Sequence, residues 1–209
     1  MRTTACSWKI VMTSLLLTPA VRADTWVMPS PVTVMSSSNN FIAQVLPGHG
    51  GFGHYEHAIT NREQNATAVV SVGRPGAATN LVWQGKLVNP AAPVEVYVSD
   101  TGGLVTLDNW HNVGYGPIVV IYDPTGRLVR YWELKDLYTF EEQMQLKYTV
   151  SSIWWHTGKA HFGVGTETNT FIVPTTHGAF VFDTIKGTLL SSPSRNVGPA
   201  PDDKHKEGH

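Results

Sequence analysis

The chain has 209 residues, with 15 Lys+Arg against 16 Asp+Glu, and its single cysteine is Cys6. That charge balance excludes nucleic acid and anionic membrane as partners, since both are recognised through basic surface. One cysteine excludes a disulfide framework and a zinc–thiolate centre.

The N-terminus carries Arg2 and Lys9, then the apolar run Ile10–Thr18, then Val21-Arg22-Ala23. This is the pattern of a secretory signal peptide over residues 1–23, cleaved near Ala23. The run is shorter than the roughly 20 residues that a membrane span needs, so the mature chain is expected to have no membrane span. Cys6 leaves with the signal. An exported chain without disulfides points to a periplasmic or extracellular location and to stability drawn from core area. Removing Arg2, Lys9 and Arg22 takes the basic residues to twelve against sixteen acidic ones, a net charge of −4.

The remainder reads as one all-β domain over 24–190, followed by a Pro-, Ser- and charge-rich tail over 191–209 that is expected to be disordered. Asp24 to Ser38 is an opening segment in which Trp26–Met28 pair as an edge strand, confined there by Pro29 and Pro31. Phe41–Leu46 is a strand, and PGHGGFG (Pro47–Gly53) is a loop. Tyr55–Thr60 is assigned to a second strand. Ala68–Val72 and Leu81–Leu87 follow, separated by the GRPGAATN loop.

Val94–Ser99 alternates valines with Glu95, Tyr97 and Ser99, the period of a half-buried strand. Asp100-Thr101-Gly102-Gly103 turns the chain into Leu104–Leu107. Ile118–Tyr122 is apolar throughout and is expected to be covered on both faces. Asp123-Pro124-Thr125-Gly126 has the composition of a bulged hairpin turn, and Leu128–Leu134 returns as the fourth strand. Tyr138 to Lys147 carries the helical signal. Thr139 and Glu142 form a capping box, and Phe140 and Met144 share a face, so one short helix should plug an end of the sheets. Val150–Trp155 and Lys159–Val164 are further strands. Thr170–Pro174 and Ala179–Asp183 repeat the central hairpin, with Tyr122-Asp123 matched by Phe182-Asp183.

About three four-stranded units therefore recur at the spacing of propeller blades, roughly 40–50 residues. The fold class is all-β, with propeller-like antiparallel blades and one short helix. A closed propeller usually has at least about four blades, so three units leave an open arc with exposed edges. Either the N-terminal strand and the helix cover those edges, or two chains associate as a homodimer.

The run LVNPAAPVEVYVSDTGG, the loop DNWHNVGYG and the hairpin YDPTG resemble a family of uncharacterised exported bacterial proteins with propeller-like repeats. The resemblance covers Leu87–Leu137 and implies architecture and export, not chemistry.

Three places carry candidate chemistry. Asp108, Asn109, Trp110, His111 and Tyr115 lie in one loop, where an aromatic face beside hydrogen-bonding groups suits a sugar or another polar molecule. The structural reading of the same loop has Trp110 and Tyr115 pinning it to the core and Asp108 bonding loop amides. His49, His54 and His57 could ligate a transition metal with Glu56, although no second ligand cluster at standard spacing accompanies them. In Trp154-Trp155-His156 the two indoles should face opposite sides of a strand. No nucleophile elbow, P-loop or dinucleotide fingerprint is present, and Asn65-Ala66-Thr67 matches a glycosylation acceptor.

The leading reading is a non-catalytic exported binding or interaction module for a small molecule, a glycan or a protein, with no cofactor. The first alternative is a hydrolase or lyase on a polar substrate with Asp108 and His111 as its acid–base pair. The second is metal binding through His54 and His57.

Overall fold

The structure, a computed structural model, describes residues 27–51, 55–73, 79–165 and 169–193. Residues 1–26, which include the expected signal segment and Trp26, together with His54 and the expected tail beyond 193, lie outside the described residues. The first sheet contains β1 (Val32–Met35), β2 (Phe41–Leu46), β3 (Thr67–Val72) and β4 (Asn80–Lys86), with helix α1 (Tyr55–Thr60) between β2 and β3. The second sheet contains β5 (Pro93–Val98), β6 (Leu104–Asn109), β7 (Val119–Tyr122) and β8 (Leu128–Trp132). An insertion follows, with α2 (Leu134–Leu137), α3 (Phe140–Gln143) and a small ladder of β9 (Lys147–Tyr148) and β10 (Ile153–Trp154). The third sheet contains β11 (His161–Phe162), β12 (Thr170–Thr175), β13 (Gly178–Asp183) and β14 (Thr188–Ser191).

Each of these three sheets is four-stranded and antiparallel, and its strands lie side by side in chain order. That is the up-and-down meander of a propeller blade. The repeat extends to a shared irregularity. In every blade the third and fourth strands slip register at one point, between Val70 and Ser71, between Ile121 and Tyr122, and between Val181 and Phe182. A bulge adds a residue and increases local twist. Its recurrence makes Val70, Ile121 and Val181 equivalent positions.

Side-chain alternation then divides the second blade between two cores. Val96, Val98, Leu104, Val120 and Tyr122 pack with Ala43, Ala68, Val70 and Trp83 of the first blade. Val105, Leu107, Val119 and Ile121 pack with Phe171, Val173, Phe180 and Phe182 of the third. The three sheets are therefore stacked face to face, with the second in the middle. This is why β6 and β7 are buried along their whole length.

Turn chemistry locks the stack. Asp123 Oδ1 accepts from Thr125 N (2.9 Å), Thr125 Oγ1 (2.6 Å) and Arg127 N (3.0 Å), and Oδ2 accepts from Arg127 Nε (3.0 Å). Partial burial opposes ionisation, but the bonds from Thr125 and Arg127 outweigh it and hold the carboxyl down at about 2. Gly126 has φ +82°, and a Cβ there would meet the Trp83 ring at 2.6 Å. Trp83 in turn donates from Nε1 to Gly102 O at 2.9 Å, tying the first blade to the turn between β5 and β6.

Several expectations are corrected. Tyr55–Thr60 is a helix, not a strand, because Tyr55, Ala58 and Ile59 repeat at helical spacing. The helix expected within Tyr138–Lys147 forms as α3, and α1 and α2 are further helices that the sequence did not announce. Leu134 and Leu137 of α2 supply the buried plug, whereas α3 buries nothing and Phe140 (72%) and Met144 (65%) face solvent. The capping box forms as read, with Thr139 N donating to Glu142 Oε2 at 2.7 Å. The edge strand of the first blade is Val32–Met35, and Val27 and Met28 lie outside any strand; Trp26 lies outside the described residues. Val150–Trp155 and Lys159–Val164 shrink to two-residue strands. Ser191, read as the start of the tail, closes β14. Asn65 is buried, and its Nδ2 donates to Ala58 O (2.7 Å) and Leu87 O (2.9 Å), so the acceptor motif is closed to modification in the fold.

Candidate functional site

In an antiparallel meander the connections alternate between the two ends of a blade. The β2–β3, β4–β5, β6–β7 and β8–β11 connections consequently emerge at one end, and they include the longest segments between strands. All the described candidate residues from the sequence lie in or beside them.

Asp108, near the end of β6, has a left-handed backbone (φ +57°) and is 1% exposed. Its Oδ1 accepts from Gly114 N (2.8 Å) and from Trp155 Nε1 (2.9 Å). Its Oδ2 lies 3.3 Å from His156 Nε2, and Glu95 Oε1 lies 3.7 Å from the same nitrogen. Tyr97 OH donates to the other oxygen of Glu95. Burial works against the His156 imidazolium, but the Asp108 hydrogen bond and the charges of Asp108 and Glu95 outweigh it and lift its pKa above the ordinary histidine value. His156 Nδ1 is buried and lacks a hydrogen-bond partner among the described residues. The cluster pins the insertion to the second blade and turns no reactive nitrogen outward.

The amides of the same region are used internally as well. Asn109 Nδ2 donates to Tyr115 O and Pro117 O, both at 2.9 Å. Asn89 Nδ2 donates to Asn109 Oδ1 (2.9 Å) and Asp108 O (3.1 Å), and Thr106 Oγ1 donates to Asn89 Oδ1 (3.1 Å). Trp110 Nε1 donates to Val27 O at 3.0 Å, so the chain at Val27 is drawn across this loop. Tyr115 is exposed, Trp110 and His111 are half-buried, and His111 has φ +72°.

A cleft of about 290 Å³ opens at the same end, lined by His49, His57, Asn61, Glu63, Gln64 and Pro90. Glycines shape it. A Cβ on Gly48 would strike the backbone of Gln64–Ala66, and one on Gly50 would strike Pro90 at 2.7 Å. Gln64 O accepts from His49 N (2.6 Å) and Gly50 N (3.0 Å), which fixes the loop against the opposite wall. Helix α1 joins the cleft to the Trp110 loop. His57 and Ala58 line the cleft, while Tyr55 packs so closely on Gly116 that a Cβ there would overlap its ring. The Tyr55 hydroxyl is buried, and burial first, with the neighbouring Asp108 and Tyr115, pushes its pKa up to about 12 against the opposing effect of Asn112.

The sequence places Asp108, Asn109, Trp110, His111 and Tyr115 in one loop; the structure instead ends β6 with Asp108 and Asn109, both buried, and leaves Trp110, His111 and Tyr115 in the connection that follows. Asp108 meets His156, 48 residues away, as its imidazole neighbour. His49 and His57 share the cleft with Glu63; His54 lies outside the described residues. No group of three or more His, Cys, Asp or Glu side chains placed to hold a metal ion occurs among the described residues. Trp154 and Trp155 diverge as alternation requires, one half exposed and the other buried. Sequence reasoning missed the linkage of Glu95, Tyr97 and His156, and the lining residues Asn61, Glu63 and Gln64. The period-2 position of Glu95 beside buried Val96 was the only available signal.

A stack of propeller-like blades with one elaborated loop end defines the class of protein. No family model matches the sequence, and no curated protein matches it. Among solved structures, a periplasmic gluconolactonase of Pseudomonas aeruginosa is similar with a TM-score of 0.35 and 13% identity. The match covers 76% of this chain and 37% of that one, so the chain spans little more than a third of that protein. No helix among the described residues is long and apolar enough to cross a membrane.

Proposed function

We propose that this is an exported, non-catalytic binding module that takes a neutral, hydroxyl-rich small molecule, such as the end of a glycan, at the loop end of its blades. The observation that carries this reading is the cleft between His49 and Pro90. It is concave and lined by imidazole, amide and carboxylate groups. Pockets for small molecules are typically about this size or larger and combine shape with a few polar groups. Among the described residues its lining has no lysine or arginine to favour an anion, and Arg62 beside it donates from Nε to Ile59 O. The Trp110 loop, joined through α1, supplies the adjoining aromatic rim.

Binding is favoured over acid–base catalysis because Asp108 is spent as an acceptor inside the fold. A general base must reach the proton it abstracts. The test is calorimetric titration of neutral monosaccharides and polyols into the wild-type chain, His57→Ala, Gln64→Ala and Trp110→Ala. At least one compound should bind, with a loss of tenfold or more in His57→Ala. If no compound binds the folded wild type, the reading fails. Turnover of a bound compound that His111→Ala abolishes at unchanged affinity would favour the hydrolase alternative.

A further inference from the structure

Bulge equivalence gives every blade a forward face, turned to the next blade in sequence, and a backward face. The forward face is Ala43, Val45, Ala68 and Val70 in the first blade and Val105, Leu107, Val119 and Ile121 in the second. The backward face is Leu104, Thr106, Val120 and Tyr122 in the second blade and Phe171, Val173, Phe180 and Phe182 in the third. Forward meets backward twice within the chain, and both contacts form the buried cores. Among the described residues, two faces are left over. The forward face of the third blade is Ile172, Pro174, Ala179 and Val181, apolar at all four positions yet only half-buried. The backward face of the first blade holds Ile42 and Val69 with Gln44 and Ser71, flanked by Met35 (48% exposed) and Leu46 (37% exposed).

We infer that these two faces are complementary parts of one interface and that a second copy of this chain supplies the partner. The forward face of the third blade docks on the backward face of the first blade of the other copy, and the reciprocal contact closes the ring. The occupant follows from the repeat. The unpaired faces are the same two types that pair twice inside the chain, so a second copy continues an interface already built. Three blades per chain close within the usual range of four to eight blades only as two copies, giving six. Two-fold symmetry makes both junctions identical, so the assembly has no remaining open face of either type.

Light scattering on the eluting wild-type chain should give twice the chain mass. Val181→Asp alters the forward face alone and Val69→Lys the backward face alone, and each should give the single-chain mass with an unchanged far-UV dichroism spectrum. Mixing the two variants should restore the doubled mass, because one junction becomes an Asp–Lys pair and the other is wild type. A wild-type chain of single mass overturns the inference. So does a dimer that only one variant dissociates, or that mixing fails to restore, since either describes a contact of one face with itself. Should either variant fail to fold, the wild-type mass and its dilution dependence decide alone.

Discussion

Asp108 sits where three donors converge on one buried carboxylate. Its backbone is left-handed, a region that aspartate and asparagine tolerate better than other side chains. Asp108→Asn keeps an acceptor for Gly114 N and Trp155 Nε1, whereas Asp108→Ala strands both donors and removes the partner of His156 Nε2. We expect Asp108→Ala to cost about 3–5 kcal/mol, as breaking a buried pair does, and Asp108→Asn to cost clearly less; urea denaturation reads both. His156 gives the pH dependence. Its folded pKa is raised, so the native state holds the proton more tightly than the unfolded chain. The contribution is fully present below the ordinary histidine value of about 6.5 and is lost as pH rises through the higher folded value. Unfolding free energy measured across that window should fall with pH in the wild type, and the part due to this residue should vanish in His156→Gln. The Asp108–His156 pairing was illegible in the sequence. The two residues lie 48 apart, and the left-handed backbone at both Asp108 and His111 breaks any inference from their short spacing.

Elements were legible where turn chemistry and alternation agreed. Val94–Ser99, the Asp123–Gly126 turn and the match of Phe182 to Tyr122 rest on local rules, and the corresponding strands stand within a few residues of their expected bounds. Tyr55–Thr60 was misread because six residues between two loops satisfy either period, and packing of Ile59 into the first core decides for the helix. The exposed Phe140–Met144 face was misread because a shared apolar face shows which residues lie together, not whether anything covers them. Helix α1 is also where cleft and loop couple. Gly116 has φ +65° and presses on Tyr55, while Gly158 has φ +67° with nothing within 4 Å of the place a Cβ would take. Alanine at either position carries the backbone penalty. Only Gly116→Ala also displaces Tyr55 and with it His57, so it should lose more stability than Gly158→Ala by thermal melting. It alone should weaken the sugar binding proposed for the cleft.

At the scale of the molecule, the three blades have one topology and one bulge position but unequal cover. The second is enclosed on both faces, and the first and third on one face each. The sequence hinted at this through the unbroken apolar run Ile118–Tyr122, but not through the outer blades, whose alternation looks the same whether or not a neighbour is present. Local opening free energy follows the apolar burial that opening exposes, so equivalent strands should open at different costs. Amide exchange should therefore be slowest in β6 and β7. It should be faster in β3 and β13 when the chain is held monomeric by Val181→Asp, and fastest in β14, where all four residues are exposed. Val181 lies on the uncovered face, so its replacement should leave β7 protection intact. In the wild type, β3 and β13 should gain protection together as protein concentration rises, because each new junction covers one face of each. Protection rising in only one of the two strands would mean that the outer blades are covered by something other than each other.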